Sequence, residues 1–348
     1  MVYGKIDLVL HITSFSMEFP TLSKYSEVTK EQMWQNYKEF VPVIKSDKFF
    51  ISSYNRSNYG FNPMPPKFSG SYCMVDSSKV DYFKIDGITD FYTEDQRMCA
   101  RKFYRLLSPA DEWKDLGVSL EGLDHAAIRA LRCKIYDNHT EATLFRPSWA
   151  KGVLKILFRS LIKHPLLENV DITHISVLDI SAGWGDRLLA CISLGLKYQG
   201  FDPNINLQTG HSNIINDFGH SDFHKIRYES FETATDIGKH HIVFTSPPFY
   251  RLEYYDDGSD QSIKRYPDFH TWMEFFLLAS LKNAWDSLVS GGIMAIHLCD
   301  YYDQEYNYNL IQPVLNKVIQ FDQASWLGVI GLQGERGKVW PIWCWRKD

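Results

Sequence analysis

The sequence predicts an α/β fold: a mostly parallel sheet with helices on both faces and an antiparallel edge, preceded by an α+β extension. Three observations carry this expectation. From about residue 140 onward, short apolar runs alternate with stretches of helical spacing, the pattern of a parallel sheet with covering helices. The first of these runs, "HISVLDISAGWGD" (174–186), breaks into a turn of small residues, as strands do where a ligand lies beyond their carboxyl ends. The last two runs, "FDQASWLGVIGLQ" (321–333) and "KVWPIWCWRKD" (338–348), close the chain as an antiparallel pair at one edge.

Residues 1–139 form the extension. "KIDLVLHI" (5–12) predicts a strand, and "KEQMWQNYKEFVPVI" (30–44) has helical spacing that stops near Pro42. The stretch 54–66 carries the Gly, Pro and Asn punctuation of a loop. "TEDQRMCARKFYRLL" (93–107) opens with a Thr-x-x-Gln capping box and predicts a helix whose positive charges are Arg97, Arg101, Lys102 and Arg105. A further helix over 123–136 adds Arg129, Arg132 and Lys134. The face at 97–105 is either simply solvated or binds phosphates.

Residues 140–348 form the α/β domain. "RPSWAKGVLKILFRSLI" (146–162) is a helix with Pro147 at its first position. The strand at 174–180 is followed by a helix in "RLLACISLGL" and a strand in "KYQGFDPN" (197–204). "HHIVFTSPPF" (240–249) is a buried strand that runs into two prolines. "DFHTWMEFFLLASLKNAWDSLV" (268–289) is a long helix, and "SGGIMAIHL" (290–298) a turn and strand. The segment 251–266 is long and polar for a connection, so it is either a substrate-facing loop or a disordered one.

Composition narrows the class. With 45% hydrophobic and 15% aromatic residues in 348, the chain can bury a large core. A formal net charge of −5 excludes a uniformly basic coat but leaves room for a local basic groove. The six cysteines make no Cys-x-x-Cys pair, and the twelve histidines form no zinc-like cluster, so no metal is expected. No signal peptide or membrane span is apparent, and the expectation is a soluble cytoplasmic protein.

Asp179 ends the apolar strand, and Gly183 and Gly185 let the backbone approach a ligand before a helix begins. About twenty residues on, Asp202 ends the next strand, where a carboxylate can accept hydrogen bonds from both hydroxyls of a ribose. The dinucleotide pattern is incomplete, because Leu188 stands where its third glycine belongs. A helix that opens on Asp186 and Arg187 does not make a pyrophosphate cradle. S-adenosylmethionine, which has no phosphate, fits this turn better. Trp184 either lines the pocket or covers the sheet.

"TSPPF" (245–249) resembles the catalytic motif of S-adenosylmethionine-dependent amino-methyltransferases, which methylate exocyclic amino groups of adenine or cytosine. "DISAGWGDR" (179–187) resembles their cofactor loop, and "TLFRPSWAK" (143–151) the segment that packs over the cofactor's methionine end. With "QSIKRYPDFHTWMEFF" (261–276), the combination most resembles DNA-modification methylases of phage and large-virus type, over about residues 140–348. The resemblance implies a Rossmann-like class I methyltransferase fold. It implies cofactor contacts from Phe145, Arg146, Asp179, Ser181, Gly183, Gly185 and Asp202, with Glu229 or Ser230 at the adenine end.

The implied chemistry suits the residue types. An exocyclic amine is a poor nucleophile because its lone pair is delocalised into the ring. Ser246 and the carbonyl of Pro247, stiffened by Pro248, would accept its two hydrogens and draw the nitrogen toward tetrahedral geometry. Phe249 would stack on the flipped base, with Tyr250 beside it. No Pro-Cys pair is present, which disfavours methylation at cytosine carbon. The expected partner is DNA, bound partly through Arg97, Arg101, Lys102 and Arg105. An RNA or cap-adenosine methylase, and a non-catalytic nucleic-acid-binding subunit of the same fold, are the alternatives. Adenine N6 and cytosine N4 both stay open, as does the oligomeric state.

Overall fold

A computed structural model describes residues 19–45, 74–138, 142, 144–256, 258, 260–302, 307–334 and 339–348. The expected strand at 5–12 and loop at 54–66 lie outside these residues. Among the described residues the main sheet has nine strands, in the order β1-β2-β12-β13-β9-β7-β4-β5-β6. Its parallel half is β6 (His224–Arg227), β5 (Lys197–Phe201), β4 (Ser176–Asp179), β7 (His240–Thr245) and β9 (Leu288–His297). β13 (Val339–Lys347) then runs antiparallel to both β9 and β12 (Ala324–Gln333). This is the Rossmann-like class I methyltransferase fold, a mostly parallel sheet with an antiparallel strand set into one side.

The sheet does not end at the antiparallel pair, as the sequence suggested. Beyond β12 come β2 (Met74–Asp76), parallel to it, and β1 (Val43–Ile44), antiparallel to β2. The N-terminal segment thus covers backbone groups that β12 would otherwise leave unpaired. Two short pairs complete the strands: β3 (Arg101–Lys102) with β8 (Glu253–Tyr254), and β10 (Tyr301–Tyr302) with β11 (Asn307–Tyr308).

The central strands read as continuous apolar runs because both faces are covered. Successive side chains go to opposite cores. Val177, Ile242, Phe244, Ile293 and Ala295 join one cluster, and Leu178, Val243, Met294 and Ile296 the other. Around the sheet lie α1 (Leu22–Tyr25), α2 (Lys30–Glu39), α3 (Asp90–Cys99), α4 (Pro109–Leu116), α5 (His125–Asn138), α6 (Pro147–Leu161), α7 (Asp186–Leu194) and α8 (Gln208–Phe218). α9 (Ser262–Arg265) precedes α10 (Phe269–Thr271), which runs through a π-helical stretch, Trp272–Leu278, into α11 (Ala279–Asp286); α12 is Ile311–Val318. The first cluster draws on α1, α2, α6 and α7, the second on α11 and α12. α6 lies so close to β2 that a Cβ on Gly152 would collide with Val75.

The helix expected over 93–107 is α3, which starts at Asp90 and stops at Cys99. Thr93 sits inside it and caps nothing; its Oγ1 donates to the carbonyls of Thr89 and Trp184. The chain then turns outward as β3 because Lys102 pairs with Glu253 and the backbone is taken up by β8. Capping boxes do form at two places the sequence reading passed over, Thr29 with Gln32 and Ser108 with Asp111.

Candidate active site

The carboxyl ends of β4, β5, β7 and β9 open on a cavity of about 500 Å³, within the range of small-molecule sites. β4 is central, with β5 leaving on one side and β7 on the other, so the glycine turn lies at the topological switch point.

Asp179 does not reach that cavity. Its carboxylate accepts from Arg187 Nε at 2.7 Å, from the Tyr198 hydroxyl at 2.9 Å and from the Ser181 amide at 3.2 Å, and Arg187 also donates to the Ser181 carbonyl. Asp179 therefore holds the turn from behind, while Ser181, Ala182, Gly183 and Trp184 line the cavity. Gly183 and Gly185 take φ values of +55° and +94°, where L residues are strained. A Cβ on Gly185 would also sit 2.9 Å from Ile214 Cδ1, so this glycine serves packing against α8.

Asp202 does line the cavity. One carboxylate oxygen accepts the Gly183 amide at 2.8 Å and the other the Asn204 amide at 3.0 Å. No ion pair to it exists among the described residues. Burial pushes its carboxyl up to about 6, against the pull of those two amides. Further hydrogen-bond donors brought to it would stabilise its charged form. His211 fixes the other side of the turn, with Nε2 2.8 Å from the Gly183 carbonyl, and burial pushes its imidazole down to about 4.

The extension supports the same turn. Thr93 donates to the Trp184 carbonyl at 2.9 Å, and Thr89 to Asp186 Oδ1 at 2.7 Å, where burial raises the carboxyl to about 7. Trp184 is buried and edge-on to Tyr255, so it both packs and lines the cavity.

Across the cavity, Ser246, Pro247, Pro248 and Phe249 follow β7 and all line the wall. Ser246 Oγ is 2.9 Å from Nδ1 of His297, the last residue of β9. β7 and β9 run in parallel register with Thr245 opposite Ile296, which brings the next residue of each together. Burial, with the charge of Arg187 as a second cause, pushes His297 down to about 3, so it is neutral at working pH. Its Nε2 has no hydrogen-bond partner among the described residues. The rings of Phe145 and Phe249 flank it at 5.3 and 5.7 Å. His297 was not foreseen from sequence. The available signal was a polar residue ending the apolar run "IMAIH" on the strand beside the one that runs into Ser246.

The remaining expected residues divide. Phe145, Arg146 and Ser230 line the cavity. Glu229 does not; its half-exposed carboxylate pairs with Arg227, while Glu232, whose side chain is buried, does line the cavity and pairs with Arg265 at 2.6 Å. Tyr250 is buried in an aromatic cluster at φ +51°, and its hydroxyl donates to the Pro267 carbonyl at 2.6 Å. The segment 251–266, where described, forms a wall through Glu253, Tyr255, Gln261 and Arg265.

Arg97, Arg101, Lys102 and Arg105 do not share a helical face. Arg97 is buried against Asp90 at 2.6 Å, and Lys102 is buried against Glu253. Arg105 stands exposed, and Arg101 lies 4.1 Å over the Tyr254 ring. Arg132, on α5, is likewise buried against Glu94. Among the described residues no cluster of His, Cys, Asp and Glu could hold a metal, and no helix is long and apolar enough to cross a membrane.

No family model and no curated protein matches the chain. Solved structures that resemble it include an rRNA methylase from Streptococcus thermophilus, 17% identical, covering 59% of this chain and 99% of that one at a TM-score of 0.36. TrmN from Thermus thermophilus is 13% identical and covers 59% of this chain and 49% of that one at 0.39.

Proposed function

We propose that the chain is an S-adenosylmethionine-dependent methyltransferase acting on the exocyclic amino group of a nucleic-acid base, adenine N6 or cytosine N4, with DNA as the preferred polymer. The observation that carries this reading is the pairing of Ser246 with a neutral His297 at one end of a cavity whose other end is the carboxylate of Asp202, which meets no cation among the described residues.

The residues fit the cofactor. Asp202, buried beside two backbone amides and no cation, suits the hydroxyls of a ribose. Gly183 leaves its turn open to close approach, and Phe145 and Trp184 supply aromatic surface suited to a sulfonium. When bound, S-adenosylmethionine supplies an electrophilic methyl group.

The remaining work falls to this chain's own atoms. With His297 in the Nε2–H tautomer, Ser246 donates its hydroxyl hydrogen to Nδ1. Both serine lone pairs are then free to accept from the substrate amine. The Pro247 carbonyl accepts the second amine hydrogen, and Phe249 stacks on the base. Acceptors fixed in advance in this way contribute roughly 3–4 kcal/mol each where they favour the transition state over the ground state.

The test is incubation with methyl-labelled cofactor and either DNA or RNA. Label entering DNA supports the reading as stated. Label entering RNA alone keeps the chemistry and moves the substrate. Label in neither, from protein that binds the cofactor, makes the chain a binding subunit.

A further inference from the structure

The segment Arg101–Leu107 leaves α3 as β3 and turns back at Arg105, whose amide donates to the Lys102 carbonyl at 2.9 Å. Four large apolar side chains within it stand in solvent: Phe103 (40% exposed), Tyr104 (52%), Leu106 (93%) and Leu107 (40%). A soluble surface rarely groups such residues without a partner. Cations pack on two of these rings and on the neighbouring Tyr254. Arg105 lies 5.5 Å over Tyr104, Arg251 5.3 Å over Phe103, and Arg101 and Lys264 lie 4.1 and 5.2 Å from the Tyr254 ring. Asp111 lies within the field of Arg101, but its carboxylate is committed to capping α4 at Ser108.

The root of this finger is bonded to the cavity wall. Lys102 is buried against Glu253, and the Tyr255 hydroxyl donates to the same carboxylate at 2.9 Å. Phe103 donates its amide to the Leu252 carbonyl at 3.3 Å. Leu252, Glu253 and Tyr255 all line the cavity. The tip is therefore held in a fixed relation to the site.

We propose that the finger is a wedge for a base-paired nucleic acid. Leu106 fills the gap left when a base turns out toward the cavity, and Arg101 and Arg105 meet the flanking phosphates. This inference rests on the reading of the cavity as a base-methylating site. A stacked base cannot reach a recessed cavity, and extruding it leaves an apolar gap between charged backbones. Apolar wedges offset the unstacking cost at such steps. An apolar tip ringed by guanidinium groups matches that combination. An anionic bilayer would match the tip but gives no reason for anchoring it to the cavity wall.

The test measures fluorescence anisotropy with two labelled duplexes, one intact and one with an abasic site, because the abasic duplex needs no unstacking of a target base. Wild-type protein should prefer the abasic duplex by roughly tenfold, Leu106→Ala should lose that preference, and Leu106→Met should keep it. The Arg101→Ala, Arg105→Ala double variant should bind both duplexes more weakly and flatten the logarithmic salt dependence by about two. Unchanged melting temperatures exclude misfolding. An abasic preference that survives Leu106→Ala, or binding to vesicles of anionic lipid in place of either duplex, overturns the wedge. Cofactor binding and methyl transfer to a single-stranded oligonucleotide do not need it, so their loss is a separate result that removes the enzymatic reading.

Discussion

Replacing Asp202 by Asn should weaken ligand binding and yet stabilise the ligand-free protein. The carboxyl is held at about 6, with burial the main cause, against 3.8 in solution. Because the folded value lies above the unfolded one, stability is fully present below about pH 3.8, declines as pH rises to about 6, and stays reduced above that. A difference of about two decades costs the ligand-free fold roughly 3 kcal/mol at pH 8. Asn carries no charge at any pH and keeps one carbonyl acceptor for a backbone amide. It turns an NH₂ toward the other amide, which costs about 1–2 kcal/mol. The net expectation is a gain of about 1–2 kcal/mol at pH 8 and no gain at pH 4. Ligand binding loses a charged acceptor worth about 1.5–3 kcal/mol, so affinity for S-adenosylhomocysteine should fall roughly 10- to 150-fold. Wild-type affinity should itself weaken below about pH 6 as Asp202 protonates, and the variant should lack that limb. Urea unfolding without ligand at both pH values, together with calorimetry, gives every quantity needed. A variant less stable than wild type at pH 8 that binds equally well would refute the reasoning.

Four further substitutions probe the other parts of the site. Ser246→Ala should lower turnover by two to three orders of magnitude with cofactor affinity unchanged, whereas Phe249→Ala should also weaken the hold on the target base by about 1–3 kcal/mol; a fluorescent base analogue at the target should still flip out with the first variant and be poorly held by the second. His297→Ala should lower turnover while leaving cofactor affinity unchanged, and the wild-type pH–rate profile at saturating cofactor should show no histidine limb between pH 5 and 8, because this imidazole protonates only near 3. Asp179→Asn should destabilise the fold by about 3–5 kcal/mol by leaving the buried Arg187 without its charge partner, a loss read in urea unfolding and not confined to catalysis.

The parts of the fold that depend on local pattern were legible in the sequence. The strands at 176–179, 197–201, 240–245 and 288–297 are apolar runs bounded by turns, and period and punctuation suffice for those. The motif at Ser246–Phe249 and the carboxylate of Asp202 were legible because each sits at a strand end, where parallel topology dictates what gathers. What escaped depends on long-range partners. Helix α3 ends at Cys99 because Lys102 pairs with Glu253, 151 positions away. Asp179 turns inward because Arg187 and Tyr198 meet it there, so a residue expected to contact the cofactor instead holds the glycine turn. Glu229 stays out of the cavity while Ser230 and Glu232 line it, at the start of a short helical turn, Phe231–Thr233, that no propensity marks. His297 escaped because its meaning comes only from the register of β9 against β7.

The central claim is transfer of a methyl group to an exocyclic amine by way of Ser246. The most direct measurement is mass spectrometry of nucleosides released from nucleic acid incubated with the protein and methyl-labelled cofactor, wild type beside Ser246→Ala. The account predicts labelled N6-methyladenosine or N4-methylcytidine, in their deoxy form for DNA, from wild type, and almost none from the variant. Label on a ring carbon or a ribose oxygen, or equal yields from the two proteins, would contradict it.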